Sequence, residues 1–410
     1  MTLNQKNIVI CLDGTGNQIE DNLSNVLKLY RALEKSEEQL VFYDQGVGTL
    51  GQVLTWGNTW QKMKNLLGLA FGLGLDKNVL QAYEFIVRHY EEHEVDGTTR
   101  RDQIFIFGFS RGAHTARVLA GLLYHVGIIR PEQIHLSGAA LTAYKQFRPS
   151  VDDVSDNEAE YEGAGANFRR VAATRYASVQ FLGVWDTVSS VFVPNAHGIW
   201  PPIVREKLPY TQENPAVRTF RHAISVDERR RMFRVDHWRR DQIFKPNTHS
   251  QGDPELQDAS EVWFAGFHSD VGGGHARRDS GLSQFPLIWM LEEAKHSGLK
   301  ISQRMADYVS GQRLWSSTTK HKYPEPDVRS PDHASAKGLW RFLEYIPKSV
   351  RFREWPARKQ FLGFYLPMSE PRPLPEGAVP HPSLLKRIRV VSDYKPENVP
   401  IEVWSDIDDC

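Results

Sequence analysis

Five short apolar runs, rich in β-branched and aromatic side chains, limit what this chain can fold into: NIVICL (7–12), LVFYD (40–44), QIFIFGF (103–109), SVQFLGVW (178–185) and EVWFAGF (261–267). None alternates apolar with polar residues. A strand with one face in water alternates, whereas a strand that is apolar throughout is covered on both faces, as in the parallel sheets of α/β proteins. The segments between the runs supply that cover. Positions 76–93 and 111–126 carry apolar residues at spacings of three and four, the second closed by Gly127, and 282–298 reads as a third helix. The expectation is a mostly parallel central sheet with helices on both faces, in a single domain over 1–410.

Three stretches interrupt this pattern: the acidic 150–167, the Pro-rich 192–215 and the polar 240–260. Each is long for a connection in a compact domain and is expected as an inserted loop. Residues 310–410 are rich in Pro, Arg and aromatics and are expected to complete the same domain, with no periodicity that assigns their elements.

Composition removes several function classes. Lys plus Arg and Asp plus Glu number 50 each, so no net field attracts polyanions and no nucleic-acid partner is expected. Two cysteines, Cys11 in a buried run and Cys410 at the last position, exclude a disulfide framework. Between Lys6 and Asp13 only the five residues IVICL are apolar, too short for the core of a cleaved signal, and no apolar stretch is long enough for a transmembrane helix. The expected location is the cytoplasm, or export without a cleaved signal peptide.

The chemistry begins at GFSRG (108–112), where a buried run meets a helical pattern. In such a turn a serine hydroxyl stands exposed above the sheet, and Gly108 and Gly112 are needed because a Cβ there would strike neighbouring backbone. The pattern alone arises by chance in roughly one chain in seven of this size; a strand before it and a helix after it rarely do. A serine that merely caps the helix is the structural alternative.

A serine hydroxyl needs a base, and the usual one is an imidazole held by a carboxylate. In hydrolases of this type the acid and then the histidine follow the serine, at the ends of later strands. SVQFLGVW ends in Asp186 and EVWFAGF ends in His268. Active sites of open α/β sheets collect at these strand ends. Ser110, Asp186 and His268 are therefore the expected nucleophile, acid and base. Taken singly, Asp186 has the alternative reading of a capping aspartate and His268 that of a satisfied structural histidine; together, in this order, they are expected to form a triad.

The first run ends in DGTG (13–16). Its N–H groups at Gly14 or Thr15, with that of Arg111, are the expected oxyanion donors, and Asp13 the residue that supports them. A phosphatase of the haloacid-dehalogenase type needs an aspartate two positions before Asp13, where this chain has Cys11. In HSDVGGGH (268–275), Asp270 is expected to orient the loop, to pair with a nearby arginine such as Arg111, or to substitute as the triad acid. His268, Asp270 and His275 lack an evident fourth ligand, so no metal is expected, and no cofactor. DERRRMFR (227–234) reads as a solvated helix face without chemistry.

Taken together, LDGTGN, YDQGVGT (43–49), NVLQAYEFIVRHY, FGFSRGAHTARVLAG, GVWDTV, HAISVDERR (222–230), WFAGFHSDVGGG and HPSLLKRI (381–388) resemble a family once catalogued as a domain of unknown function. Its catalytic domain is shared with phospholipase effectors of bacterial type VI secretion. The blocks run in order from about residue 8 to 400. The resemblance implies an α/β-hydrolase fold and a Ser-Asp-His triad at Ser110, Asp186 and His268. It also implies phospholipid acyl esters as substrate, contact with a membrane surface, and a secretion-machinery partner or immunity protein. Effectors often carry a further membrane-anchoring region; no large extra domain is evident here. NLLGLAFGLGL (65–75) is the candidate lipid-facing lid, or else a buried core segment. The expected reaction is ester hydrolysis of phospholipase A type. A carboxylesterase for small soluble esters is the alternative, and a non-catalytic binding module of the same fold would not need all three residues.

Overall fold

A computed structural model of the chain describes residues 5–14, 23–46, 74–95, 98–146, 163–188, 192–194, 203–205, 208–231, 233–246, 254–316, 318, 322–334, 344–345, 347–350, 353–355 and 359–399. The five apolar runs form strands of one seven-stranded sheet. Its members are β1 (Asn7–Leu12), β2 (Gln39–Asp44), β3 (Gln103–Phe109), β4 (Val179–Trp185), β5 (Val217–Ser225), β6 (Asp258–Phe264) and β7 (Val379–Pro380). Every pairing is parallel, in the order β7-β6-β5-β4-β3-β1-β2.

The continuous apolar character has the expected cause. Ile8, Ile10 and Leu12 of β1 and Ile104 and Ile106 of β3 enter one core with α2 (Leu75–His89) and α3 (Arg111–His125). Val9 and Cys11, with Phe105, Phe107 and Phe109, enter another with α1 (Asn25–Ala32) and α5 (Gly281–His296). Burying each large apolar side chain contributes roughly 1.5–3 kcal/mol, so a sheet packed on both faces is a rigid base for loops at its carboxyl edge. A smaller cluster joins Ile224 and Trp263 to Leu384 of α6 (Pro382–Val390).

Several expectations are corrected here. EVWFAGF ceases to be strand at Phe264, because Gly266 turns the chain with φ +102°, and His268 opens a short helix, α4 (His268–Gly272). Strand β5 falls outside the five runs. Its sequence VRTFRHAIS carries Arg218, which pairs with Glu255, Arg221, which pairs with Asp258 and Glu293, and His222, whose neutral ring is hydrogen-bonded to Glu261. The polar 240–260 holds an antiparallel pair, Ile243–Phe244 with Glu255–Leu256, and the start of β6. Within 192–215, Phe192–Pro194 pairs with Ile203–Arg205. A helix, Ala164–Ala172, begins inside 150–167, and residues 150–162 lie outside the described residues. The described residues of 227–234 are not helical, and Glu228, Arg230 and Arg234 among them are buried. Of 65–75, all but Gly74 and Leu75 lie outside the described residues. Among the described residues no helix is long and apolar enough to cross a membrane.

The sheet reverses its direction of growth at β1, which lies between β2 and β3. At such a point the loops leave in opposite directions and open a crevice beyond the carboxyl ends of the strands. The loops after β1 and β3 begin there.

Candidate active site

Ser110 occupies the bend between β3 and α3 with φ +58° and ψ −120°, a conformation L-residues adopt only under local constraint. The constraint is crowding by backbone. A Cβ on Gly108 would lie 2.5 Å from the Gly112 carbonyl oxygen, and one on Gly112 would lie 2.2 Å from that of Leu12. The strand end, the helix start and the β1 loop thus pack with no side chain between them. The Ser110 amide donates to the Trp185 carbonyl of β4 at 3.1 Å, which ties the bend to the next strand.

The three residues at the strand ends meet. Ser110 Oγ donates to His268 Nε2 at 2.8 Å, and His268 Nδ1 donates to Asp186 Oδ2 at 2.6 Å. Phe109 lies against the imidazole and Phe233 meets it edge-on, with ring centroids at 4.8 and 4.9 Å. Burial lowers the His268 pKa, with Asp186 acting in the opposite direction. The imidazole is therefore neutral at neutral pH, the form in which Nε2 can accept a proton.

Asp186 is almost wholly buried and fully engaged. Oδ1 accepts from the Ser225 amide at 2.9 Å, from Ser225 Oγ at 3.0 Å and from Arg372 NH1 at 2.6 Å; Oδ2 accepts also from Arg372 NH2 at 3.1 Å. Burial alone would raise its pKa, but Arg372 and His268 outweigh that and hold the carboxyl well below the usual range. The next residue is fixed as well. Thr187 N–H donates to His222 Nε2 at 3.2 Å, so the His222 proton sits on Nδ1 and reaches Glu261 Oε1 at 2.9 Å.

Arg372 and Glu228 escape a reading of the sequence. Arg372 comes from a Pro-rich stretch with no periodicity, and the signal for it is indirect: a buried aspartate with a second oxygen to satisfy needs a cation. Glu228, inside the segment expected to be solvated, accepts from the His268 amide at 3.3 Å and is forked by Arg230 at 2.8 and 2.9 Å. Burial raises its pKa, while Arg230, Arg372 and His268 outweigh this and bring it to about 2.

The expected oxyanion residues divide. Arg111 is the first residue of α3, where the N–H groups of the first turn have no partner within the helix. Gly14 donates instead to Asp13 Oδ1 at 2.7 Å, and Thr15 lies outside the described residues. Asp13 is buried, with Oδ2 accepting from Tyr43 at 2.9 Å and from Ser24, the N-cap of α1. Asp186, rather than Asp270, is the carboxylate hydrogen-bonded to His268 Nδ1. Asp270 Oδ2 accepts from the Phe267 amide at 2.9 Å and the His333 amide at 3.0 Å, so it orients the loop. The trio His268, Asp270 and His275 is not assembled as one group, because His268 faces Asp186 and Ser110; His333 joins Asp270 and His275 instead.

A family model described as "T6SS, Phospholipase effector Tle1-like, catalytic domain" matches residues 6–293. An uncharacterized protein of Saccharomyces cerevisiae is 34% identical over 239 residues, which cover 56% of this chain and 32% of that protein. Among solved structures, an uncharacterized protein from Pseudomonas aeruginosa is 20% identical with a TM-score of 0.35, over 72% of this chain and 46% of that one. The Tle1 effector bound to the VgrG spike of the type VI secretion system is 19% identical with a TM-score of 0.33, over 68% and 52%. The chain thus spans about a third of the curated relative and about half of each of these structures.

Proposed function

We propose that this chain, which belongs to the family of Tle1-like phospholipase effector catalytic domains of type VI secretion, is a serine hydrolase that cleaves phospholipid acyl esters. The observation that carries the reading is the unbroken path of hydrogen bonds Ser110–His268–Asp186 on a strained strand-to-helix bend. As Ser110 Oγ attacks the ester carbonyl, its proton passes to His268 Nε2, and Asp186, held ionised by Arg372, stabilises the imidazolium. The Arg111 amide, with a second donor from the β1 loop, receives the charge on the carbonyl oxygen; the Gly14 amide serves once its bond to Asp13 opens. His268 then protonates the departing alcohol, leaving the acyl group on Ser110. Water, deprotonated by the same imidazole, releases the fatty acid and restores the serine.

A second feature favours lipid over small soluble esters. Strands Gln360–Phe361 and Phe364–Tyr365 form a hairpin whose two turn residues, Leu362 and Gly363, both have positive φ. Such turns favour Asn, Asp or Gly, yet the tip is Leu362, 82% exposed beside Phe361 at 78%. Phe364, Leu366 and Met368 are exposed next to them. A contiguous apolar surface of this kind suits a membrane interface. A component of the secretion machinery and an immunity protein are the protein partners that the family's setting brings into view.

The deciding experiment is fatty-acid release from mixed phospholipid micelles, beside Ser110→Ala and a short-chain ester. Release that vanishes in the variant supports the phospholipase reading. Cleavage of the short ester alone replaces it with a carboxylesterase, and inertness toward both points to a binding module.

A further inference from the structure

Asp270, two residues after His268, is 2% exposed and its Oδ2 is fixed by the two amides of Phe267 and His333. Its other oxygen faces two imidazoles. His333 Nδ1 lies 2.7 Å from Oδ1 and His275 Nε2 lies 3.6 Å from it. The two rings stack with centroids 3.9 Å apart. One carboxylate oxygen and one nitrogen from each ring all lie within 4.8 Å of one another. His275 Nε2 is buried and has no hydrogen-bond partner, since 3.6 Å exceeds a hydrogen bond. An orphaned buried polar atom calls for something between it and its neighbours.

We infer that Asp270, His275 and His333 form a binding site for a divalent metal ion of the zinc class. Two imidazoles and a carboxylate suit zinc and its transition-metal neighbours, whereas calcium and magnesium take oxygen ligands. At ligand distances of roughly 2.0–2.2 Å, tetrahedral donor atoms stand about 3.3–3.6 Å apart. The 3.6 Å spacing fits that range and the 2.7 Å one falls below it, and because each imidazole lone pair lies in its ring plane the two stacked rings turn out of their stack for both nitrogens to face one ion. The amides on Oδ2 act as the outer contacts that orient a metal-binding carboxylate. Both histidine side chains are 27% exposed, which gives the ion a way in and leaves coordination positions open to water. The ion has no step in ester cleavage, because Ser110, His268 and Asp186 already satisfy one another. It clamps the turn that carries His268 to the segment around His333, which is distant in sequence.

The test uses the full chain, stripped with a chelator and dialysed, then titrated with Zn²⁺ and separately with Co²⁺. The expected result is stoichiometric uptake of Zn²⁺, visible Co²⁺ bands of a low-coordinate site, and a Tm raised by Zn²⁺ but not by Ca²⁺. His333→Ala and His275→Ala lower the Zn²⁺ affinity by at least about 10–100-fold, the loss that removal of even an outer partner causes. His275→Phe keeps the stacked ring and removes the nitrogen, so it reports on binding if the alanine variant does not fold. His237→Ala, remote from Asp270 in its contacts, keeps full uptake. Absence of stoichiometric binding in the parent chain, or uptake unchanged in His275→Phe and His333→Ala, overturns the site and leaves water as the occupant.

Discussion

The Asp186–Arg372 contact sets the character of the site. A carboxylate gripped on both oxygens by a guanidinium cannot rotate, so the Nδ1 bond that holds the His268 ring in register depends on Arg372. Arg372→Met is expected to lower kcat for ester hydrolysis on the order of 100-fold, the scale of an ångström-level misplacement of a catalytic group. It should also destabilise the fold by roughly 3–5 kcal/mol, as removal of one partner of a buried ion pair does. Arg372→Lys, which restores charge but not the fork, should recover part of the stability and little of the rate. Steady-state kinetics with urea unfolding on the same samples checks this; a parent-like rate in Arg372→Lys would make charge alone sufficient and contradict the role of the fork. At this scale Ser110, Asp186 and His268 were legible because each follows an apolar run in the order the chemistry requires. Arg372 and Glu228 were not, because a buried charge is marked only by its partner, and those partners meet in space.

At the scale of elements, periodicity located what is buried on two faces and missed what is buried beside charge. β5 is the clearest case: Arg218, Arg221 and His222 make it read as polar, and only the acids on β6, on α5 and at Glu255 reveal that the two arginines are paired and the neutral histidine hydrogen-bonded within the fold. The segment after it deceived in the same way, since the Arg230 and Arg234 guanidinium groups pair with Glu228 and Glu370 and the Arg231 amide donates to Glu344. The hairpin at 360–365 yields a prediction of its own. Leu362→Asp and Phe361→Asp alter exposed tips with no part in the fold's core, so hydrolysis of a soluble short-chain ester should stay within about twofold. Charged tips should weaken insertion into an interface, and release from phospholipid vesicles should fall at least about tenfold by the same area argument. Vesicle and short-ester rates measured side by side decide it; parallel changes in both would remove the hairpin from lipid recognition.

For the molecule as a whole, the site is assembled from segments spread between Asp13 and Arg372. The family match ends at residue 293, whereas Arg372, α6 and β7 lie beyond it. The last part of the chain therefore supplies the guanidinium that holds Asp186. The buried carboxylates of the site also set the acid limit of stability. The Glu228 pKa stands at about 2 against an ordinary 4.5, so an unfolded chain takes up this proton at a higher pH than the folded one. Its stabilisation is complete above the ordinary value and is lost as pH falls from there toward about 2. Asp186 is held low by Arg372 and acts in the same direction. Urea midpoints followed between about pH 5 and pH 2 should fall steeply in the parent chain and less steeply in Glu228→Gln; equal slopes would contradict the assignment.

The account rests on Ser110 being a nucleophile activated through His268 and Asp186. Labelling with a fluorophosphonate, followed by peptide mass analysis, tests this most directly. The expected result is a single adduct on the peptide containing Ser110, absent in Ser110→Ala and strongly slowed in His268→Ala and Asp186→Asn. A folded chain that takes no label, or one labelled equally after loss of His268, would contradict it.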